Sequence, residues 1–173
     1  MIQLNEFIPL VCASIPRFQA HAPDGRQRAC ILHDPNRALM IVAGPGSGKT
    51  TVLVLRALRL VFVNGWMPET IVLTTFTNKA ANELRSRLIE WGLRIKNYLA
   101  AHPPQPSPAG FGAWLDSIDI NRFVTGTLDS ICEELLTTHR DPTDPAPVLV
   151  EGFVGNGIVS AGLKRPRFPR LCS

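Results

Sequence analysis

The sequence predicts an α/β fold in which parallel strands are flanked by helices. Three runs rich in apolar or β-branched residues carry that expectation: "ALMIVA" at 38–43, "TIVLTTF" at 70–76 and "INRFVTGT" at 120–127. Each is followed by a stretch of helix length with apolar residues near a 3.6-residue period, and strand alternating with helix favours a parallel sheet. The 173 residues, 45% of them hydrophobic, suffice for one sizeable core.

The chain opens with a poorly patterned segment, read as an N-terminal extension over 1–22. Its stretch "FIPLVCASIP" has a faint secretory character, but Glu6 precedes it, Pro9 interrupts it and no basic residue appears before Arg17. Asp24 in "DGRQRACILHD" is placed to cap a short helix. The run 38–43 then reads as a strand buried on both faces, leading straight into a glycine-rich loop.

After that loop, "KTTVLVLRALRLVFVNG" gathers Val52, Leu55, Leu58, Leu60 and Phe62 largely on one side, and Asn64 and Gly65 suit a helix C-terminus. The β-branched run 70–76 is the second strand. In "NKAANELRSRLIEWGLRIKNYLA" the residues Ala80, Leu84, Leu88, Trp91 and Ile95 recur near helical spacing. "HPPQPSPAG", with four prolines in nine residues, ends that helix and reads as a surface insertion at 101–110. The run 120–127 is the third strand, and "LDSICEELLTTH" is a helix that Pro142 and Pro145 bar from continuing. The last residues, 151–173, carry Lys164, Arg165, Arg167 and Arg170 between prolines and read as a poorly ordered basic tail.

The net charge of +4 is compatible with a polyanionic partner without requiring one. Cys12, Cys30, Cys132 and Cys172 show no CxxC spacing and no histidine pair at ligand intervals, so neither a zinc site nor a disulfide scaffold is indicated. Reduced thiols in a cytoplasmic protein are the expectation. No apolar run reaches the length of a membrane span.

The strongest chemical signal is "AGPGSGKTT", residues 43–51. A turn between strand and helix lets successive backbone N–H groups and the helix N-terminus point at a phosphate, and Gly44, Gly46 and Gly48 permit the close approach. Lys49 suits the β- and γ-phosphates, and the Thr50 hydroxyl suits a bridging Mg²⁺. The pattern G-x-x-x-x-G-K-[ST] asks for glycine where Ala43 stands, but the strand-loop-helix context is present.

"AGPGSGKTT" together with "TFTNKAANELRSRL" resembles the N-terminal part of UvrD/Rep-type superfamily 1 DNA helicases, over roughly residues 27–136. That family's first motif commonly begins with alanine. The resemblance implies an incomplete RecA-like P-loop NTPase core at 23–150 that binds ATP and Mg²⁺ through Ala43, Gly44, Pro45, Gly46, Ser47, Gly48, Lys49, Thr50 and Thr51. Lys49 and Thr50 would act in catalysis, Thr50 would hold the metal, and Gln27 would read the adenine edge. It further implies that Thr75, Phe76, Thr77, Asn78 and Lys79 line a path for single-stranded DNA. Phe76 offers a stacking face and the others reach phosphates from a helix N-terminus; packing in the core is the alternative for Phe76.

"GTLDS" resembles the family's next DNA-contacting motif, with Gly126 and Thr127 retained and Leu128 and Asp129 in place of phenylalanine and histidine. An acidic side chain repels phosphate, so a helix cap is the better reading of Asp129. The family's hydrolysis needs an Asp-Glu pair at a strand end; "APVLVEG" ends in Glu151 alone and "WLDSIDI" lacks a preceding strand. It also needs arginine fingers from a second motor domain, in cis or in trans, worth about 10³ to 10⁵ in rate. The expectation is therefore an ATP-dependent helicase segment that, alone, binds nucleotide and turns it over poorly. A non-catalytic nucleotide- and DNA-binding module and, with less support, a small P-loop kinase are the alternatives.

Overall fold

The computed structural model describes residues 1–139. Residues Met1–Ile131 form one compact unit, and a second begins at Cys132. The expectations for Glu151 and for the basic tail at 151–173 lie outside the described residues.

The first unit is α/β. Its sheet has two strands, β1 (Val72–Thr75) and β2 (Val124–Thr127), paired in parallel from Val72↔Val124 to Thr75↔Thr127. The helices α1 (Phe7–Ser14), α2 (Pro16–Ala20), α3 (Gly25–Leu32) and α4 (Lys49–Phe62) precede β1, and the connection between the strands contains α5 (Asn78–Ala101) and α6 (Phe111–Ser117). A last helix, α7 (Leu128–Thr138), starts directly after β2.

The run 38–43 is not a strand. It has no ladder partner among the described residues, and Met40 and Val42 are 87% and 85% exposed. An apolar strand needs a neighbour for its N–H and C=O groups and cover for both faces; this run has neither, so composition alone does not make it one. The run 70–76 has the neighbour and one covered face, its other face carrying Val72 at 54% exposure. Ile71 and Leu73 are buried, and β2 supplies the ladder.

Helix α5 organises the core. Ala81, Leu84, Leu88, Trp91, Ile95 and Leu99 are buried at spacings of three and four residues. The stripe therefore begins at Ala81, and Ala80, expected on it, is exposed because it precedes the buried stripe in the first turn. Gly92 allows the closest approach: a Cβ there would lie 2.7 Å from Ile120 Cγ2. Arg85 reaches from α5 to the carbonyl of Asn121 at 3.3 Å, and Lys96 donates to the carbonyl of Ile118 at 2.7 Å. Both tie the entry to β2 against the helix.

Helix α4 buries Val52, Val54, Leu55, Ala57, Leu58, Val61 and Phe62. It closes where the N–H groups of Gly65 and Trp66 return to the carbonyls of Val61 and Leu60. Its Arg56 donates to the carbonyls of Cys30 and His33, both at 2.9 Å, which satisfies the end of α3. Arg59 is buried and donates to the His33 carbonyl at 3.2 Å; burial, then the neighbouring Arg56, lowers its pKa, and Asp34 opposes the shift. These bonds pin the segment entering the loop to the helix leaving it.

The first 22 residues contribute Phe7, Val11, Ile15 and Phe18 to the same core, with the Phe18 ring edge-on to Trp91 at 5.2 Å. Among the described residues no helix is long and apolar enough to cross a membrane, and no group of side chains is arranged to hold a metal ion on its own.

Candidate functional site

Two groups of residues singled out in the sequence are brought to well-defined places. The first is the loop before α4. Gly46 and Gly48 adopt φ of 75° and 81°, a left-handed conformation that side chains resist, and Gly48 is the N-cap of α4. The loop thus turns directly into the N-terminus of a 14-residue helix, where unsatisfied N–H groups and the macrodipole favour an anion.

Ala43, Gly44, Pro45, Gly46 and Ser47 are exposed, as are Lys49 and Thr50, whereas Thr51 is buried at the base of the loop. Lys49 Nζ donates to the carbonyls of Ala43 at 2.8 Å and Gly44 at 2.6 Å, and Ser47 Oγ donates to Gly44 O at 2.7 Å. The ammonium is held over the loop by its own backbone. Ala43 takes part through its carbonyl, and its φ is not in the left-handed region that would call for glycine.

Gln27 is joined to this loop. Asp24 Oδ1 accepts from the Gln27 N–H at 2.8 Å, and Gln27 Oε1 accepts from the Asp24 N–H at 3.1 Å, a reciprocal cap for α3. The Gln27 amide Nε2 then donates to the Ser47 carbonyl at 3.2 Å. Gln27 therefore borders two cavities at the loop, one of 540 Å³ that also meets Met40, Val42 and Lys49, and one of 420 Å³ that also meets Phe18 and His21. A third cavity, of 340 Å³, is formed by loop residues 46–51 with Arg17 and Arg87. Neither arginine was singled out from the sequence; Arg87 lay unremarked in the helix motif, and Arg17 lies in the segment read as an extension.

The second group meets at the C-terminal ends of the two strands. The register sets Thr74 beside Gly126 and Thr75 beside Thr127, so residues 52 positions apart in the chain become neighbours. Phe76 is 104% exposed, which excludes the core for it. Thr75 Oγ1 donates to the Thr77 carbonyl at 2.9 Å, and Thr77 Oγ1 caps α5 by accepting from the Ala80 N–H at 3.2 Å. Asn78 and Lys79 follow in the exposed first turn.

In "GTLDS" the cap of α7 is Thr127, whose Oγ1 accepts from the Ser130 N–H at 3.2 Å; Asp129 sits exposed in the first turn instead. The expected cap role for Asp129 is thus corrected. The reason is register: capping needs the residue before the helix, and the helix starts at Leu128. Gly126 has its own reason, since a Cβ would stand 2.7 Å from Ser130 Oγ. Ser130, also overlooked in the sequence, closes the turn by donating to the Thr127 carbonyl at 3.0 Å. Two helix N-termini and the exposed Phe76 and Leu128 share this edge of the sheet.

A glycine-rich loop thus opens a helix of an α/β unit, with a glutamine bound to it and two threonine-capped helices at the strand ends. Residues 24–149 match the UvrD/REP helicase N-terminal domain, and the chain belongs to that family. It is 40% identical over 111 residues to the ATP-dependent DNA helicase SRS2 of Saccharomyces cerevisiae, an alignment covering 64% of this chain and 8% of that protein. DNA helicase II of Escherichia coli is 50% identical over 54 residues, 31% of this chain and 8% of the relative. ATP-dependent DNA helicase UvrD1 of Mycobacterium tuberculosis is 45% identical over 64 residues, 37% of this chain and 8% of the relative. The aligned parts are thus a small fraction of each relative's length.

Proposed function

We propose that this chain is the nucleotide- and single-stranded-DNA-binding part of an ATP-dependent DNA helicase, a RecA-like core at 23–150 with a proline-rich insertion at 101–110. The observation that carries the reading is the pairing of two sites in one unit. The glycine loop with Lys49 opens α4, and Phe76 stands exposed where β1 gives way to α5.

The loop residues fit a magnesium nucleotide. Backbone N–H groups at Gly46 to Lys49 cradle phosphate, Lys49 neutralises it, and Gln27 is near enough to the loop to read a base. Thr50 would offer its hydroxyl to Mg²⁺, which would supply neutralisation of the phosphate charge. At the other site Phe76 stacks on a base. Thr75, Thr77, Asn78 and Lys79, with Gly126 and Thr127, follow the backbone; stacking, worth about 1 to 3 kcal/mol per base, is indifferent to sequence. Coupling nucleotide turnover to movement along DNA calls for a second motor domain, in cis or in trans.

A second reading, a module that binds nucleotide and DNA without turnover, is favoured by one feature. β1 ends in Thr74 and Thr75 and β2 in Gly126 and Thr127, so neither described strand ends in a carboxylate able to orient water. ATP turnover by the purified chain, with and without single-stranded DNA and with Lys49→Ala as control, separates the two. DNA-stimulated turnover lost in the variant supports a motor. No turnover, with Mg-ATP binding still dependent on Lys49, supports the binding module, and no Mg-ATP binding at all rejects both.

A further inference from the structure

Resting on the nucleotide reading of the loop, we propose that Arg17, on α2, binds the phosphate chain of the nucleotide at the α- and β-phosphates. Arg17 lines two of the cavities at the loop, the 420 Å³ cavity shared with Gln27 and the 340 Å³ cavity shared with Lys49 and Thr50. Those two cavities have Gly46, Gly48 and Thr51 in common as well. A nucleotide lying along these two cavities, with its base by Gln27 and its terminal phosphate by Lys49 and Thr50, passes this shared wall; the 540 Å³ cavity, which Gln27 and Lys49 also line, is the route that leaves Arg17 out. Arg17 is the cationic side chain on both sides of it.

Its placement is not accidental to a loose terminus. Ile15 and Phe18, which flank it, are 1% and 3% exposed, and Phe18 packs edge-on against Trp91 of α5. The backbone carrying Arg17 is thereby anchored in the core while its side chain stays exposed, with the guanidinium carbon 6.0 Å from the Phe18 ring centre. Among the described residues Arg17 makes no ion pair, whereas Arg87, the other arginine of the smaller cavity, is paired with Glu83. A planar guanidinium with free donors is the group best suited to a phosphate oxygen pair.

Equilibrium binding of Mg-ATP, Mg-ADP and adenosine to the full chain tests the assignment, using Arg17→Ala, Arg17→Gln, Arg17→Lys and Lys49→Ala. Arg17→Ala and Arg17→Gln are expected to weaken Mg-ATP and Mg-ADP alike by about tenfold, leave adenosine unchanged and melt as the parent does; Arg17→Lys recovers part of the loss. Unchanged nucleotide affinity in Arg17→Ala, with binding still lost in Lys49→Ala, overturns the role of Arg17 and leaves the loop reading standing. A loss confined to Mg-ATP overturns the placement at the α- and β-phosphates. If the parent binds no nucleotide, or Lys49→Ala binds as the parent does, the reading of the loop itself fails and the proposal with it.

Discussion

The runs 38–43 and 70–76 have nearly the same claim to be strands, and they end differently. Both are short, apolar and followed by a helix. The second is paired along Val72–Thr75, with Ile71 and Leu73 buried beneath α5. The first leaves Met40, Ile41 and Val42 exposed beside the loop cavity. What separates them is supply of partners: β2 returns over α5 to lie beside one run, and among the described residues nothing lies beside the other. The glycine loop keeps its shape nonetheless, because Arg56 and Arg59 of α4 hold the end of α3, and Gln27 holds Ser47.

The sharpest test of that difference is a pair of truncations. Leu73→Ala removes a buried side chain under β1 and is expected to cost about 2 to 4 kcal/mol. Val42→Ala, at an 85% exposed position, is expected to stay within about 0.5 kcal/mol. Urea unfolding of both variants measures the gap. Equal losses would mean that the first run is covered in solution as the second is.

A smaller effect probes the cover over the paired run. Gly92→Ala puts a methyl 2.7 Å from Ile120 Cγ2, where α5 meets the turn leading to β2. Overpacking of this kind costs about 1 to 3 kcal/mol, and the better helix propensity of alanine returns up to about 1. A net loss of about 1 kcal/mol is expected in the same unfolding measurement. A gain in stability would show that α5 and the turn are not in tight contact.

The sequence made the shape of the loop legible because that shape is local: the glycines, Lys49 and Thr50 stand at fixed offsets from one helix N-terminus. It made β1 and α5 legible for the same reason, through β-branched composition and a 3.6-residue stripe. It could not distinguish the unpaired run from the paired one, because pairing depends on which distant segment arrives. Arg17 was hidden by the same limit, since a buried residue on a short helix and another just before it, rather than any motif, bring it to the loop. The DNA-type residues fall between these cases. Phe76 and "GTLDS" were recognised by pattern, yet only the parallel register makes them neighbours. The roles of Gly126 and Ser130 in shaping the turn, and of Thr127 rather than Asp129 as its cap, needed coordinates.

The entry to β2 carries the smallest of the expected effects, and one that depends on pH. Asp119 Oδ1 accepts from the backbone N–H of Asn121 at 3.0 Å and from its side-chain amide at 3.0 Å, closing the 3₁₀ turn Ile120–Arg122 before the strand. The backbone bond first, then the side-chain bond, hold the carboxyl pKa below its usual range; burial opposes this slightly, and Arg122 and Lys96 add to it. A carboxylate whose folded pKa is depressed contributes stability above its unfolded pKa and loses it as pH falls through the folded value. The thermal midpoint of Asp119→Ala should therefore lie below that of the parent near neutral pH, with the two curves converging as pH drops below about 4. Ahead of the unpaired run Asp34 Oδ1 accepts from the Asn36 N–H at 2.9 Å. A gap for Asp119→Ala that persists unchanged into acid would mean that packing of the turn, rather than the charge on Asp119, sets how β2 begins.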